Sequence, residues 1–174
     1  MDESGFSETP VVRRTWAPRG QTPLLRPKGA SWRWMSAIGA LVYRRNGRGA
    51  RVFLLLQRGA VRTSGILRFL RHLRRHVRGR VVLLWDGLQP HRAKEVQKWV
   101  AANAHWLQVE RLPAYAPELN PVEGLWGWIK GGCLANVCAE DLGPLVRRVR
   151  NGTQRLRRKQ SLLHSFLAKS DLFL

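Results

Sequence analysis

Asp86 directly follows the apolar run VVLLW, residues 81–85. A run this short and this uniformly apolar reads as a strand covered on both faces. Asp86 therefore stands at the carboxyl end of a buried strand, where open α/β sheets gather ligands and catalytic groups. Asp86-Gly87 is equally an ordinary strand-ending turn pair. Glu123, just after Asn120-Pro121, opens a helix, and the same position suits a capping-box glutamate. Asp2 and Glu3 stand at the start of the sequence, where acids are also simply solvated residues of a frayed end. Carboxylates are the side chains that hold Mg²⁺ or Mn²⁺. Two such ions about 3.5–4 Å apart activate an attacking oxygen and stabilise a leaving one, which is what phosphoryl transfer requires.

Scarcity is the reason to group these acids. The 174 residues carry 31 Lys and Arg against 11 Asp and Glu, a net charge of +20. Residues 9–85 hold 18 basic residues and no acid, so Asp86 is the first acid after Glu8. Such a surplus argues for a polyanionic partner, nucleic acid before a membrane surface; ordinary solvated arginine faces are the other reading. Acids at metals and arginine elsewhere is the division of labour a DNA-cleaving site needs. No apolar run approaches the roughly 20 residues of a membrane helix. The start, MDESGF, has acids where a secretory signal has bases, so a cytoplasmic protein is expected. Cys133 and Cys138 match no paired Cys or His zinc spacing and are expected as reduced thiols. The eight Trp are expected mainly in the core.

The elements that must position these acids follow from the apolar pattern. Residues 7–31, rich in Pro, Gly, Thr and Arg, read as an extended arm or irregular loop. Trp32–Tyr43 and Ala50–Gln57 flank Asn46-Gly47 and predict an antiparallel hairpin. Ile66, Phe69, Leu70, Leu73 and Val77 share a helical face, with Arg68, Arg71, Arg74, Arg75 and Arg78 around the rest. Residues 91–103 read as a helix and 107–112 as a short strand, and Pro121 at N1 starts a helix to about Gly131. From Glu140 onward the chain reads as helical, with a basic run of Arg147, Arg148, Arg150, Arg155, Arg157, Arg158 and Lys159. This order implies an α/β fold with a mixed sheet and helices on its faces. His91, soon after the strand, could ligate metal or shuttle a proton, but local hydrogen bonding is the reading preferred here.

The strings DESGF (2–6), RRTWAPRGQTP (13–23), SAIGAL (36–41), LLWDGLQPHRA (83–93) and LPAYAPELNPVEGLW (112–126) resemble the DDE transposases of mariner-like bacterial insertion sequences. The resemblance runs from Asp2 to about residue 135, and PELNPVEGLW is its most specific element. It implies an RNase H-like mixed sheet flanked by helices over residues 1–135, followed by a basic helical C-terminal extension over 136–174. It places the catalytic and metal-binding triad on Asp2, Asp86 and Glu123, with 36 residues between the last two. The implied cofactor is Mg²⁺ or Mn²⁺, as two ions. The implied activity is metal-dependent DNA strand cleavage and strand transfer in transposition. The implied partners are insertion-sequence ends and target DNA, bound by a homodimer, in a bacterial cytoplasm at the nucleoid. Arg68, Arg71, Arg74 and Arg75, with Arg147, Arg148, Arg150, Arg155, Arg157 and Arg158, would supply sequence-independent phosphate contacts.

Two departures qualify the resemblance. Gly87 stands where many relatives have Asn, removing an amide contact beside the second acid. The family also carries an N-terminal helix-turn-helix region and a strand delivering the first Asp. Here the first strand is expected to be largely missing and Asp2 poorly held, so the chain alone would be a poor nuclease. The alternative is a truncated or split-frame transposase remnant that binds DNA non-specifically without catalysis.

Overall fold

The strand Trp34–Tyr43 (β2) is apolar along most of its length because both of its faces are covered. Met35 and Ala37 point into one hydrophobic cluster, while Ile38 and Ala40 point into a second, the two-residue alternation of a strand. A computed structural model describes residues 1–26 and 33–172. Trp32 of the expected hairpin and residues 27–31 of the expected arm lie outside the described residues.

β2 pairs antiparallel with Ala50–Arg58 (β3), from Met35 opposite Arg58 to Tyr43 opposite Ala50. The hairpin is as expected, but its loop spans residues 44–49, with positive φ at Gly47 (67°) and Gly49 (76°). On the other edge of β2 lies Asp2–Ser7 (β1), paired antiparallel from Asp2 opposite Gly39 to Ser7 opposite Trp34. This corrects the expectation of a largely missing first strand and a frayed Asp2. The long apolar β2 carries a row of backbone donors and acceptors that must be satisfied, and the six residues of β1 satisfy them. Phe6 then buries against Trp126 in an edge-on contact, which anchors the far end of β1.

After β3 come Thr63–His76 (α1), Val81–Trp85 (β4), Gln89–Arg92 (α2), Lys94–Ala102 (α3) and Leu107–Arg111 (β5). β4 and β5 form a separate parallel pair. The Met1 nitrogen donates to Leu84 O at 2.7 Å and ties this pair to β1. The single helix expected over 91–103 is broken at Ala93, whose ψ of 139° is extended. Beyond β5 follow a 3₁₀ turn (Pro117–Leu119), Val122–Trp128 (α4), a π-type turn (Ile129–Cys133), Leu142–Arg157 (α5) and Gln160–Ala168 (α6). Pro121 is the N-cap of α4 and not its first helical residue.

The strands thus form a middle layer. Ile66, Phe69, Leu70 and Leu73 of α1 pack on one side with Trp85, Val96 and Leu107. Leu125 and Trp126 of α4, Leu145, Val149 and Leu156 of α5, and Leu163 of α6 pack on the other. The basic C-terminal helices therefore share a hydrophobic cluster with the strands, as the i, i+4 spacing of their buried residues requires. No helix among the described residues is long and apolar enough to cross a membrane.

Candidate active site

The alternation of β1 sends its two acids to opposite faces. Asp2 shares its face with Phe6 and meets α4, whereas Glu3 meets α2. Asp2 is buried, which a carboxylate tolerates only when hydrogen-bonded. Trp126 Nε1 donates to its Oδ2 at 2.8 Å and Asn120 Nδ2 at 3.0 Å. Oδ1 accepts from the Glu3 backbone N–H at 2.8 Å. Asn120, Glu123 and Trp126 recur every third residue, which keeps them along one side of the α4 segment. Asn120 serves twice, since its Oδ1 also accepts from Val122 N at 3.2 Å.

Gly39, the register partner of Asp2, makes this possible. A Cβ there would lie 2.7 Å from Trp126 Cη2 and 3.0 Å from Leu125 Cδ2. Only a glycine leaves the indole close enough to β1 to reach Asp2.

On the other face His91, 2% exposed, bridges two carboxylates. Its Nδ1 lies 2.8 Å from Asp86 Oδ1 and its Nε2 3.1 Å from Glu3 Oε1. Its ring stacks on Trp85 at 4.4 Å with a 5° interplanar angle. Burial by itself lowers the His91 pKa, but the hydrogen bonds to Asp86 and Glu3 outweigh it and raise the pKa to about 9. The ring is therefore an imidazolium with both N–H groups donating. Asp86 shows the matching effect: burial raises its pKa, but the bonds from His91 and from the Leu88 N–H leave it below the ordinary value. One ligand atom each of Glu3, Asp86 and His91 lies within 4.8 Å of the others. This imidazolium is an internal cation that spans the two acids and holds them in place. His91 is hydrogen-bonded, but its partners are the nearby Asp86 and the distant Glu3 and not only local groups. Among the described residues, Glu3 Oε2 is buried without a hydrogen-bond partner.

Glu123 lies in the first turn of α4. The capping-box arrangement is not formed, because no side chain caps this helix through its N-cap Pro121. Partial burial raises the Glu123 pKa, the Asp2 charge raises it further, and Lys130 opposes both. Asp2 is the shared neighbour. Its charge acts on Glu123 and also on the buried Met1 amino group, which feels Glu3 and Asp86 as well. Burial takes that amino group down to about 6 against the pull of these three acids.

All ten candidate DNA-contacting arginines are exposed. Three are partly engaged: Arg68 donates to Gln57 Oε1 at 3.1 Å, Arg74 lies 4.9 Å over the Trp106 ring, and Arg157 Nε donates to Val52 O at 3.2 Å. Reading the sequence missed Glu3, Asn120 and Trp126 as site residues. Their signal was present in the strings DESGF and ELNPVEGLW, as the neighbour of Asp2 and as the three-residue spacing around Glu123.

Residues 1–145 match the family of DDE superfamily endonucleases. The chain belongs to that family. No curated protein matches it in sequence. Among solved structures it is similar to the Mos1 strand transfer complex, with a TM-score of 0.57 and 17% identity, over 99% of this chain and 54% of that one. It is also similar to the Mos1 transposase paired-end complex with left transposon end, with a TM-score of 0.55 and 16% identity, over 99% of this chain and 55% of that one. For the Mos1 mariner paired end complex with Mn the TM-score is 0.53 and the identity 17%, over 99% and 56% of the two chains. The chain spans about half the length of these Mos1 chains. The shared fold is the RNase H-like mixed α/β arrangement expected from the sequence.

Proposed function

We propose that this DDE endonuclease chain is the catalytic domain of a DNA transposase, with Asp2, Asp86 and Glu123 as its metal-holding catalytic acids. The observation that carries this reading is the anchoring of buried Asp2 by Trp126 and Asn120, from the segment that bears Glu123. The donor set suits a hard divalent cation: Asp2, Asp86 and Glu123 all offer carboxylate oxygens, while the ligand atoms that lie within 4.8 Å of one another are those of Glu3, Asp86 and His91. When bound, Mg²⁺ or Mn²⁺ would supply Lewis-acid activation of an attacking oxygen and charge relief on the leaving one, and two ions are the finer form of the proposal.

The chain's own residues do the positioning. Trp126 and Asn120 fix the Asp2 carboxylate, and His91 and the Leu88 N–H fix Asp86 Oδ1. The exposed arginines of α1 and α5 bind phosphates without reading bases. The partners in this reading are element ends and target DNA, held by a homodimer. In this reading the basic C-terminal extension contributes its α5 arginines to the DNA-facing surface alongside those of α1.

The test is nicking of supercoiled plasmid with Mg²⁺ or Mn²⁺. Asp86→Asn and Glu123→Gln should each abolish nicking and leave duplex binding intact. Nicking that survives both substitutions would sink the assignment, and absence of nicking by the unaltered chain would favour a DNA-binding remnant.

A further inference from the structure

Gly87, next to Asp86, has an ordinary negative-φ backbone that any residue could adopt, since it is absent from the positive-φ glycines. Its lack of a side chain therefore needs another reason. A Cβ at Gly87 would lie 2.8 Å from Arg92 Nη2, 3.5 Å from Nε and 3.6 Å from Cζ. The guanidinium of Arg92 occupies the space that any side chain at 87 would fill, one residue from the acid at the end of β4.

Arg92 is exposed. Its side chain makes no hydrogen bond or ion pair among the described residues. No acid among the described residues forms an ion pair with it, although it lies beside Asp86's neighbour Gly87. A long cation is thus laid beside the candidate acids by its neighbour's missing side chain, with its donors unspent. A guanidinium presents planar paired donors that match phosphate oxygens, and such charge-assisted bonds are strong.

We infer that Arg92 is a phosphate-binding residue of this site, contacting a phosphodiester oxygen of the DNA strand that approaches Asp86. The inference rests on the proposed nuclease reading for the identity of the strand. It adds a substrate contact outside the two arginine-rich helices, and it assigns Gly87 the role of leaving room for that contact.

The full chain is compared with Arg92→Gln, Arg92→Lys, Gly87→Ala and the double variant Gly87→Ala/Arg92→Gln. Duplex binding is titrated with salt in EDTA, and plasmid nicking is followed with Mg²⁺ or Mn²⁺. Losing one phosphate contact should reduce the slope of log K against log salt by about 0.9 in Arg92→Gln, with Lys restoring it. Nicking by Arg92→Gln should fall about tenfold or more, the worth of one hydrogen bond to a charged group. Gly87→Ala meets only the far end of a flexible side chain, so it should fold normally and lose part of the activity. The double variant should be no worse than Arg92→Gln alone, because both changes remove one contact. An unchanged slope in Arg92→Gln, or effects of the two substitutions that add in full, would overturn the inference. If the unaltered chain does not nick, the nuclease reading fails, and the salt slope alone decides the phosphate contact.

Discussion

Replacing His91 with Gln probes the internal cation that joins Glu3 to Asp86. A rise of the histidine pKa from 6.5 to about 9 corresponds to about 3 kcal/mol of stabilisation at about 1.4 kcal/mol per unit. The folded pKa is raised, so this stability is fully present below pH 6.5 and is lost as pH rises through about 9. Asp86, whose pKa is lowered, contributes in a separate window, with stability present above its unfolded pKa and lost on acidification. Urea unfolding in EDTA from pH 6 to pH 10 should therefore show the two proteins converging. The unaltered chain should exceed His91→Gln by about 3 kcal/mol at the low end, and most of that difference should vanish by the high end. Taking the difference between the two proteins cancels the titration of the cysteines and other groups. Two stability curves that run parallel across this range would refute the view that His91 is held charged between the two acids.

Gly39→Ala should destabilise the chain by about 1–3 kcal/mol in urea unfolding, because the added methyl overlaps Trp126 and Leu125. It should also weaken nicking by moving the indole off Asp2, and unaltered stability would show that the indole is not pinned against β2. Joint replacement of Arg147, Arg148, Arg150, Arg155 and Arg158 with Gln should flatten the salt dependence of duplex binding by about 0.9 per phosphate lost, measured by fluorescence anisotropy. Arg157 is spared in that variant because its Nε holds Val52 O, and an unchanged slope would mark this face of α5 as merely solvated.

Much of the frame was legible along the chain. VVLLW is a strand because five consecutive apolar residues satisfy no helical face, and it delivers Asp86 to a strand end as expected. Only Leu83 and Trp85 are buried, however, while Val82 is exposed, so the expected cover on both faces is not formed. The hairpin of β2 and β3 follows from two apolar runs about a glycine-containing turn. The amphipathic α1 follows from the spacing of Ile66, Phe69, Leu70 and Leu73. β1 was not legible. DESGFS has little strand propensity of its own, and only the unpaired edge of β2, some 30 residues onward, turns it into a strand. The break at Ala93 was hidden for a similar reason, since periodicity records which face is apolar but not where a backbone bends to bring His91 beside Asp86.

The sequence by itself determined which chemistry was on offer: scarce acids at a strand end and a helix start, in a chain of +20 charge. Those readings rest on local rules of periodicity, turn chemistry and charge, which act over a few residues. Tertiary structure alone decided which acid is held by what. Trp126 reaches Asp2 across 124 positions of sequence, and His91 reaches Glu3 across 88. Such pairings depend on the register of β1 against β2 and on the space left by Gly39. They arise because a buried carboxylate must find donors wherever packing has brought them, and no pattern within a single element encodes that address.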